Sequence, residues 1–181
     1  MGWEKTMFAL FDDLEQQAEG LHLAGRDADV AELTMSEYSR VSLGARLHAS
    51  LGLELRARLV GGHVVVGRLA RLGEDWLLLV AGSAEWIVRY KGIASLAGLS
   101  ARAHSEQTWS VMDRLSLRAV LRRLSGENEP CLVHLVDAQQ IGGRIGRVGR
   151  DFFELRAGEG AQTQVQVVPV APVAAIQGRT S

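Results

Sequence analysis

Lysine is nearly missing from this chain: of its 20 basic residues only Lys5 and Lys91 are lysines. Arginine in its place suits planar recognition of phosphate or carboxylate, and equally records a GC-rich gene. There is a single cysteine, Cys131, which excludes an internal disulfide. Its apolar strand setting predicts a buried, inert thiol rather than a nucleophile. Long apolar runs are lacking too. Stretches such as Trp76 to Ala81 fall far short of the roughly 20 residues that cross a bilayer. The start, Met1-Gly2-Trp3-Glu4-Lys5, has neither the basic patch nor the apolar stretch of a secretion signal, so a cytoplasmic location is expected. The histidines His22, His48, His63, His104 and His134 have no partner at metal-ligand spacing, and no metal site is expected. No Gly-x-Ser-x-Gly elbow occurs and no acid–base pair stands out, so the chain is read as no enzyme and as needing no cofactor.

What is present is a repeat. Residues 55–80 and 131–156 are identical at eight of 26 positions at a constant offset of 76. Gly67-Arg68-Leu69-Ala70-Arg71-Leu72-Gly73-Glu74-Asp75-Trp76 returns as Gly143-Arg144-Ile145-Gly146-Arg147-Val148-Gly149-Arg150-Asp151-Phe152. Most other positions exchange like for like, so one structural unit is used twice. The unit includes a leading helix, because Ser42-Leu43-Gly44-Ala45-Arg46-Leu47 matches Ser116-Leu117-Arg118-Ala119-Val120-Leu121. Gly52 and Gly126 are the matching helix stops.

The chain divides into an acidic helical segment (1–35), a first helix and barrel (36–99), a polar linker (100–108) and a second helix and barrel (109–181). In the first segment Phe8, Phe11, Leu14 and Ala18 fall three or four apart, which gives an amphipathic helix. A second helix starts at Asp27 or Asp29 and buries Val30, Leu33, Tyr38, Val41, Leu47 and Leu51; the third spans Trp109 to Leu124. In residues 53–98 Leu55, Ala57 and Leu59 alternate with charged residues, then follow strands at Val64–Leu72, Trp76–Val80, Trp86–Tyr90 and Ile93–Leu96. The second copy has strands at 131–137, 139–148, 152–157, 164–170 and 173–177. Gly67 mid-strand marks a bend, and a short meander with such a bend predicts a small closed barrel. The glycines at 142, 143, 146 and 149 bend the same strand and make no phosphate loop, since no helix opens after them. Pro169 and Pro172 replace Arg89 and Gly92, which predicts an edge or a kink there. Trp76, Trp86 and Phe152 are expected to fill barrel interiors, whereas Trp109 and Tyr90 are free to stack. His134, opposite Arg58 in the repeat, is expected at the surface.

The spacing Val65, Gly67, Leu69, Leu72, Trp76, Leu78, echoed by Ile141, Gly143, Ile145, Val148, Phe152, Glu154, resembles the Sm-like fold, a small SH3-type barrel. The likeness covers about 110 residues. It implies a mainly β chain with helices (α+β): tandem five-strand Sm-like or SH3-like barrels, each behind a helix, plus the acidic N-terminal helix. The uridine-binding residues of Sm-like families are not carried over. Gly73 and Gly149 stand where the acid or histidine would be, and Leu77 and Phe153 where the asparagine would be. Only Lys91-Gly92 matches the late arginine–glycine pair. Over its whole length the chain resembles an uncharacterised group of proteins from high-GC Gram-positive bacteria, through the acidic helix and the Gly67–Leu79 stretch.

Charge is unevenly placed. Residues 1–35 carry eight acids and two bases, while the remainder holds 18 bases and 13 acids. Arg114, Arg118 and Arg122 recur every four residues as a stripe with Arg123 beside it. Arg68 and Arg144 take equivalent strand positions, as do Arg71 and Arg147. On a flat ladder residues three apart face opposite ways, so neither pair makes one patch. The six residues Arg114, Arg118, Arg122, Arg123, Arg68 and Arg144 are the candidate nucleic-acid contacts, a salt-sensitive phosphate track. The first expectation is a cytoplasmic adaptor or assembly protein with a protein partner or self-association. The alternative is an RNA- or DNA-binding regulator. No membrane and no small-molecule cofactor are expected.

Overall fold

A computed structural model describes residues 38–103, 114–158 and 164–179. The chain divides into two units, Met1–Ser42 and Leu43–Ser181. Of the first, the described part is a turn closed by the Val41 N–H donating to the Tyr38 carbonyl at 3.0 Å. The expected acidic N-terminal helix, the linker beyond Ala103 and Trp109 lie outside the described residues.

The second unit opens with helix α1 (Leu43–His48) and strands β1 (Glu54–Leu59), β2 (Val64–Leu72), β3 (Trp76–Ala81), β4 (Ala84–Arg89) and β5 (Ile93–Ala97). A turn of 3-10 helix at Tyr90–Gly92 precedes β5. Helix α2 (Leu117–Glu127) then leads β6 (Pro130–Leu135), β7 (Gln140–Val148), β8 (Phe152–Ala157), β9 (Gln164–Pro169) and β10 (Val173–Arg179). All ten strands are where the repeat and its alternation put them, to within two residues at most ends.

Their joining is different from the expectation. The strands form one open antiparallel sheet in the order β5-β1-β2-β3-β4-β10-β6-β7-β8-β9, not two closed five-strand barrels. Closing the first module would require β4 to turn back on β5. Instead β5 pairs with β1, and the outer edge of β4 pairs with β10 of the second module over five residue pairs, Ala175–Val88 through Arg179–Ala84. The helices are also slighter than expected. Among the described residues α1 has six residues and α2 eleven, and α2 is the one substantial helix. Gly126 lies inside α2 rather than stopping it. Asn128 ends the helix in the left-handed region (φ 54°), with its N–H bonded to the Leu124 carbonyl. Asparagine tolerates that conformation, so the stop falls two residues later.

Each module has a core, and each borrows from the other. Leu47, Leu55, Leu69, Leu77 and Leu79 of the first pack with Ala174 and Ala175 of β10. Leu117, Leu121, Phe153, Leu155 and Ile176 of the second pack with Trp76 and Ile87. The modules therefore share a seam and are not beads on a string.

Both long strands carry a bulge. In β2 the pairing skips a residue between Leu69 and Arg71, and in β7 it shifts between Ile145 and Val148. The extra residue resets the alternation, so Leu69 and Leu72 are both buried while Arg68 and Arg71 are both exposed. The flat-ladder expectation that these arginines face opposite ways is thereby corrected. Gly67 and Gly143 are required nearby: a Cβ there would lie 2.7 Å from the carbonyl oxygen of Val80 or Arg156.

Candidate interaction surfaces: the seam and the sheet ends

Three sets of contacts among the described residues lead the seam. The first is the β4·β10 ladder, where Ile87 lies opposite Ile176 and Trp86 opposite Gln177. The second is the turn between β2 and β3, which holds the start of α2. Trp76 Nε1 and the Glu74 N–H donate to the Leu115 carbonyl at 2.8 and 3.0 Å, and Asp75 Oδ1 accepts from the Leu117 N–H at 2.9 Å. Ser116 makes no side-chain cap of its own, so a carboxylate of the first module caps the second module's helix. Third, the buried Arg89 guanidinium donates through Nη1 to the carbonyls of Val170, Ala171 and Val173. Gly92 packs so closely on Ala174 that a Cβ would meet its Cα at 2.6 Å.

Histidines gather at the same seam. His134 is buried, not at the surface as its match to Arg58 suggests. Trp86 and His63 of the first module cover it, with ring centroids 4.8 and 5.1 Å away, and Gln177 lies 3.3 Å from its Nε2. Arg58, its match in the first module, is exposed. Burial holds the His134 imidazole below its ordinary value; Gln177 opposes the shift and His63 adds to it. A cavity of about 220 Å³ adjoins the two histidines. Among the described residues no three His, Cys, Asp or Glu side chains gather as a metal site. Cys131 is half-buried, and burial pushes its thiol up to about 11, so little thiolate is present near neutrality.

The candidate arginines are spread over both modules. Arg114, Arg118 and Arg122 are exposed and make no ion pair among the described residues. Arg123 pairs with Glu127 at 3.2 Å, and Arg144 donates to the Asn128 carbonyl at the end of α2. Arg68 lies apart on β2, opposite Glu54 and Val80. Arg147 grips Glu154 with Nη2–Oε1 at 2.6 Å, and that contact lowers the Glu154 carboxyl below its ordinary value. Tyr90 is half-buried, with its hydroxyl donating to the Gly73 carbonyl at 3.1 Å. A groove of about 710 Å³ between α2 and the first module is lined by Leu72, Trp76, Ile87 and Leu124, with charges of both signs from Arg71, Arg123, Glu85 and Glu127.

The two sheet ends are the surfaces that sequence reasoning missed. Among the described residues, β5 (Ile93-Ala94-Ser95-Leu96-Ala97) and β9 (Gln164-Val165-Gln166-Val167-Val168-Pro169) each pair on one side only, and neither strand carries a charged residue. Edge strands are ordinarily guarded by charge, proline or a bulge. Here the guard is Pro169, which sits on an edge strand as its sequence predicts, while the strand after Pro172 lies mid-sheet. Phe152, expected in a core, is exposed beside β9, together with Val165 and Val167. The signal available in the sequence was the uncharged composition of both strands. Among the described residues no helix is long and apolar enough to cross a membrane. No protein-family model matches the chain, and no curated protein does.

Proposed function

We propose that this chain is a non-enzymatic assembly or adaptor protein of the cytoplasm, making protein–protein contacts through the two ends of its ten-strand sheet. One observation carries the reading: two uncharged edge strands, each with one side unpaired among the described residues, one of them presenting Val165 and Val167 to solvent. An edge strand offers a row of main-chain donors and acceptors, and strand addition uses them for affinity while side-chain positions give specificity. Among the described residues, buried His134, exposed His63 and the mixed charges of the groove offer no nucleophile–base pair. The test is capture from native lysate. Protein partners should survive nuclease and be lost with Val165→Lys plus Val167→Lys; partners that vanish with nuclease and ignore those substitutions would refute the reading.

A second reading is favoured by Arg114, Arg118 and Arg122, exposed and without acidic partners among the described residues. An RNA- or DNA-binding regulator would use that stripe on phosphates, with affinity falling steeply as salt rises. Arg118→Glu with Arg122→Glu should then abolish oligonucleotide binding. Binding that ignores salt would dismiss it.

A further inference from the structure

We infer that the partner at the sheet ends is a second copy of this chain, joined head to tail with β9 of one copy against β5 of the next, in the register of the β4·β10 seam. The inference rests on the reading of the sheet ends as contact surfaces and names their occupant. Its basis is the repeat. β9 is the equivalent of β4, and β10 of β5, both at an offset of 80. The inner pairings of β5 and β10 match residue for residue. Ile93, Ser95, Leu96 and Ala97 meet Leu59, Arg58, Ala57 and Arg56, just as Val173, Ala175, Ile176 and Gln177 meet Leu135, His134, Val133 and Leu132. Even the irregularity before the second pair is shared. The seam is thus a heterologous contact between two like units, and among the described residues each edge of the sheet presents one unused half of that contact.

The apolar residues left in solvent are those the seam covers elsewhere. Val167 is 62% exposed where its equivalent Ile87 is 9%, and Phe152 is 37% where Trp76 is 6%. On the opposite end Leu43 is 45% exposed where Leu117 is 1%. Repeating the seam places Val167 opposite Leu96 of the second copy, Gln166 opposite Ala97 and Val168 opposite Ser95. It also brings Phe152 towards Leu43 of that copy.

Two substitutions set the limits of the joint. Pro169 stands where Arg89 clamps three carbonyls, so the clamp is absent between copies. It costs no ladder bond, because Arg89 is already outside the β4·β10 register. Pro172 stands where Gly92 approaches Ala174, and its ring would crowd Ala94 of the second copy. The contact therefore runs over residues 164–168 and parts beyond them. It is weaker than the seam, giving an association that reverses on dilution.

The test uses two full-length proteins, both with Cys131→Ser, one carrying Ala97→Cys and the other Gln166→Cys. Antiparallel partners lie about 4.5–5.5 Å apart at Cα, within reach of a disulfide. Mild oxidation of the mixture should give the mixed 97–166 dimer in excess over either like-with-like product. Sedimentation of the unsubstituted chain should show mass rising with concentration. Val167→Lys should weaken the association roughly tenfold or more, with an unchanged circular dichroism spectrum. A predominance of 97–97 or 166–166 dimers, or a chain that stays monomeric at every concentration, would overturn the inference. A monomer that still loses its lysate partners on Val165→Lys plus Val167→Lys would overturn this inference alone and leave the edge reading intact.

Discussion

Ile176→Ala probes the seam where its energetics are simplest. Ile176 is 2% exposed and lies opposite Ile87 across the joined modules, in a cluster with Trp76, Leu117 and Val133. Truncation removes three buried carbons and leaves a cavity walled by two modules, which cannot collapse without shifting the β4·β10 ladder. Such changes cost about 2–5 kcal/mol, and this site belongs near the middle, at about 3.5 kcal/mol. For a folded unit of this size that lowers Tm by about 10 °C. Scanning calorimetry is the assay, with Val167→Ala as the matched control at the equivalent of Ile87 on the outer edge. At 62% exposure that control should change stability by no more than about 0.5 kcal/mol in dilute solution. The transition of Ile176→Ala should remain single, because the modules share their cores. A loss below about 1 kcal/mol, or a split into two transitions, would refute the seam as a cooperative joint.

Two further outcomes follow from the same contacts. Asp75→Ala removes the cap on α2 and should cost about 1 kcal/mol, with faster amide exchange confined to the first turn after Leu117; unchanged exchange there would count against capping across the seam. Burial holds the His134 imidazole low, so the unfolded chain binds that proton more readily than the folded one. Stability should therefore fall as pH drops through about 6.5 and level off below the folded value. His134→Gln should remove that component, read as a smaller Tm difference between about pH 7.5 and pH 5.5. An equal difference in both proteins would show that His134 does not contribute.

The individual strands were legible because alternation and repeat act locally. Leu55, Ala57 and Leu59 announce β1 whatever lies beside it, and β2 falls on Val64–Leu72 as expected. The partner of β4 was not legible. A closed barrel and an open seam both bury Trp86 and Val88, so the apolar pattern satisfies either, and the choice rests on contacts 87 to 95 residues away. The difference between Arg89-Tyr90-Lys91-Gly92 and Pro169-Val170-Ala171-Pro172 was the available hint. It separates a strand end clamped against a neighbour from one at an open edge. His134 and Phe152 were misplaced for the same reason. Matching residues at equivalent positions of a repeat have different surroundings when one module has a neighbour on that side and the other does not. The parity of Arg68 and Arg71 was hidden by a bulge that inserts a single residue. Of the candidate surfaces, the arginines stand out in the sequence by their charge, whereas the two edge strands are marked only by its lack.

Amide hydrogen exchange at the β4·β10 ladder tests the joining of the two modules most directly. Protection at the ladder amides around Ile87 and Ile176 should match that of the innermost strands, with one opening free energy for both modules. Rapid exchange there, beside well-protected amides in β2 and β7, would mean two separate modules lying side by side and would contradict the single sheet.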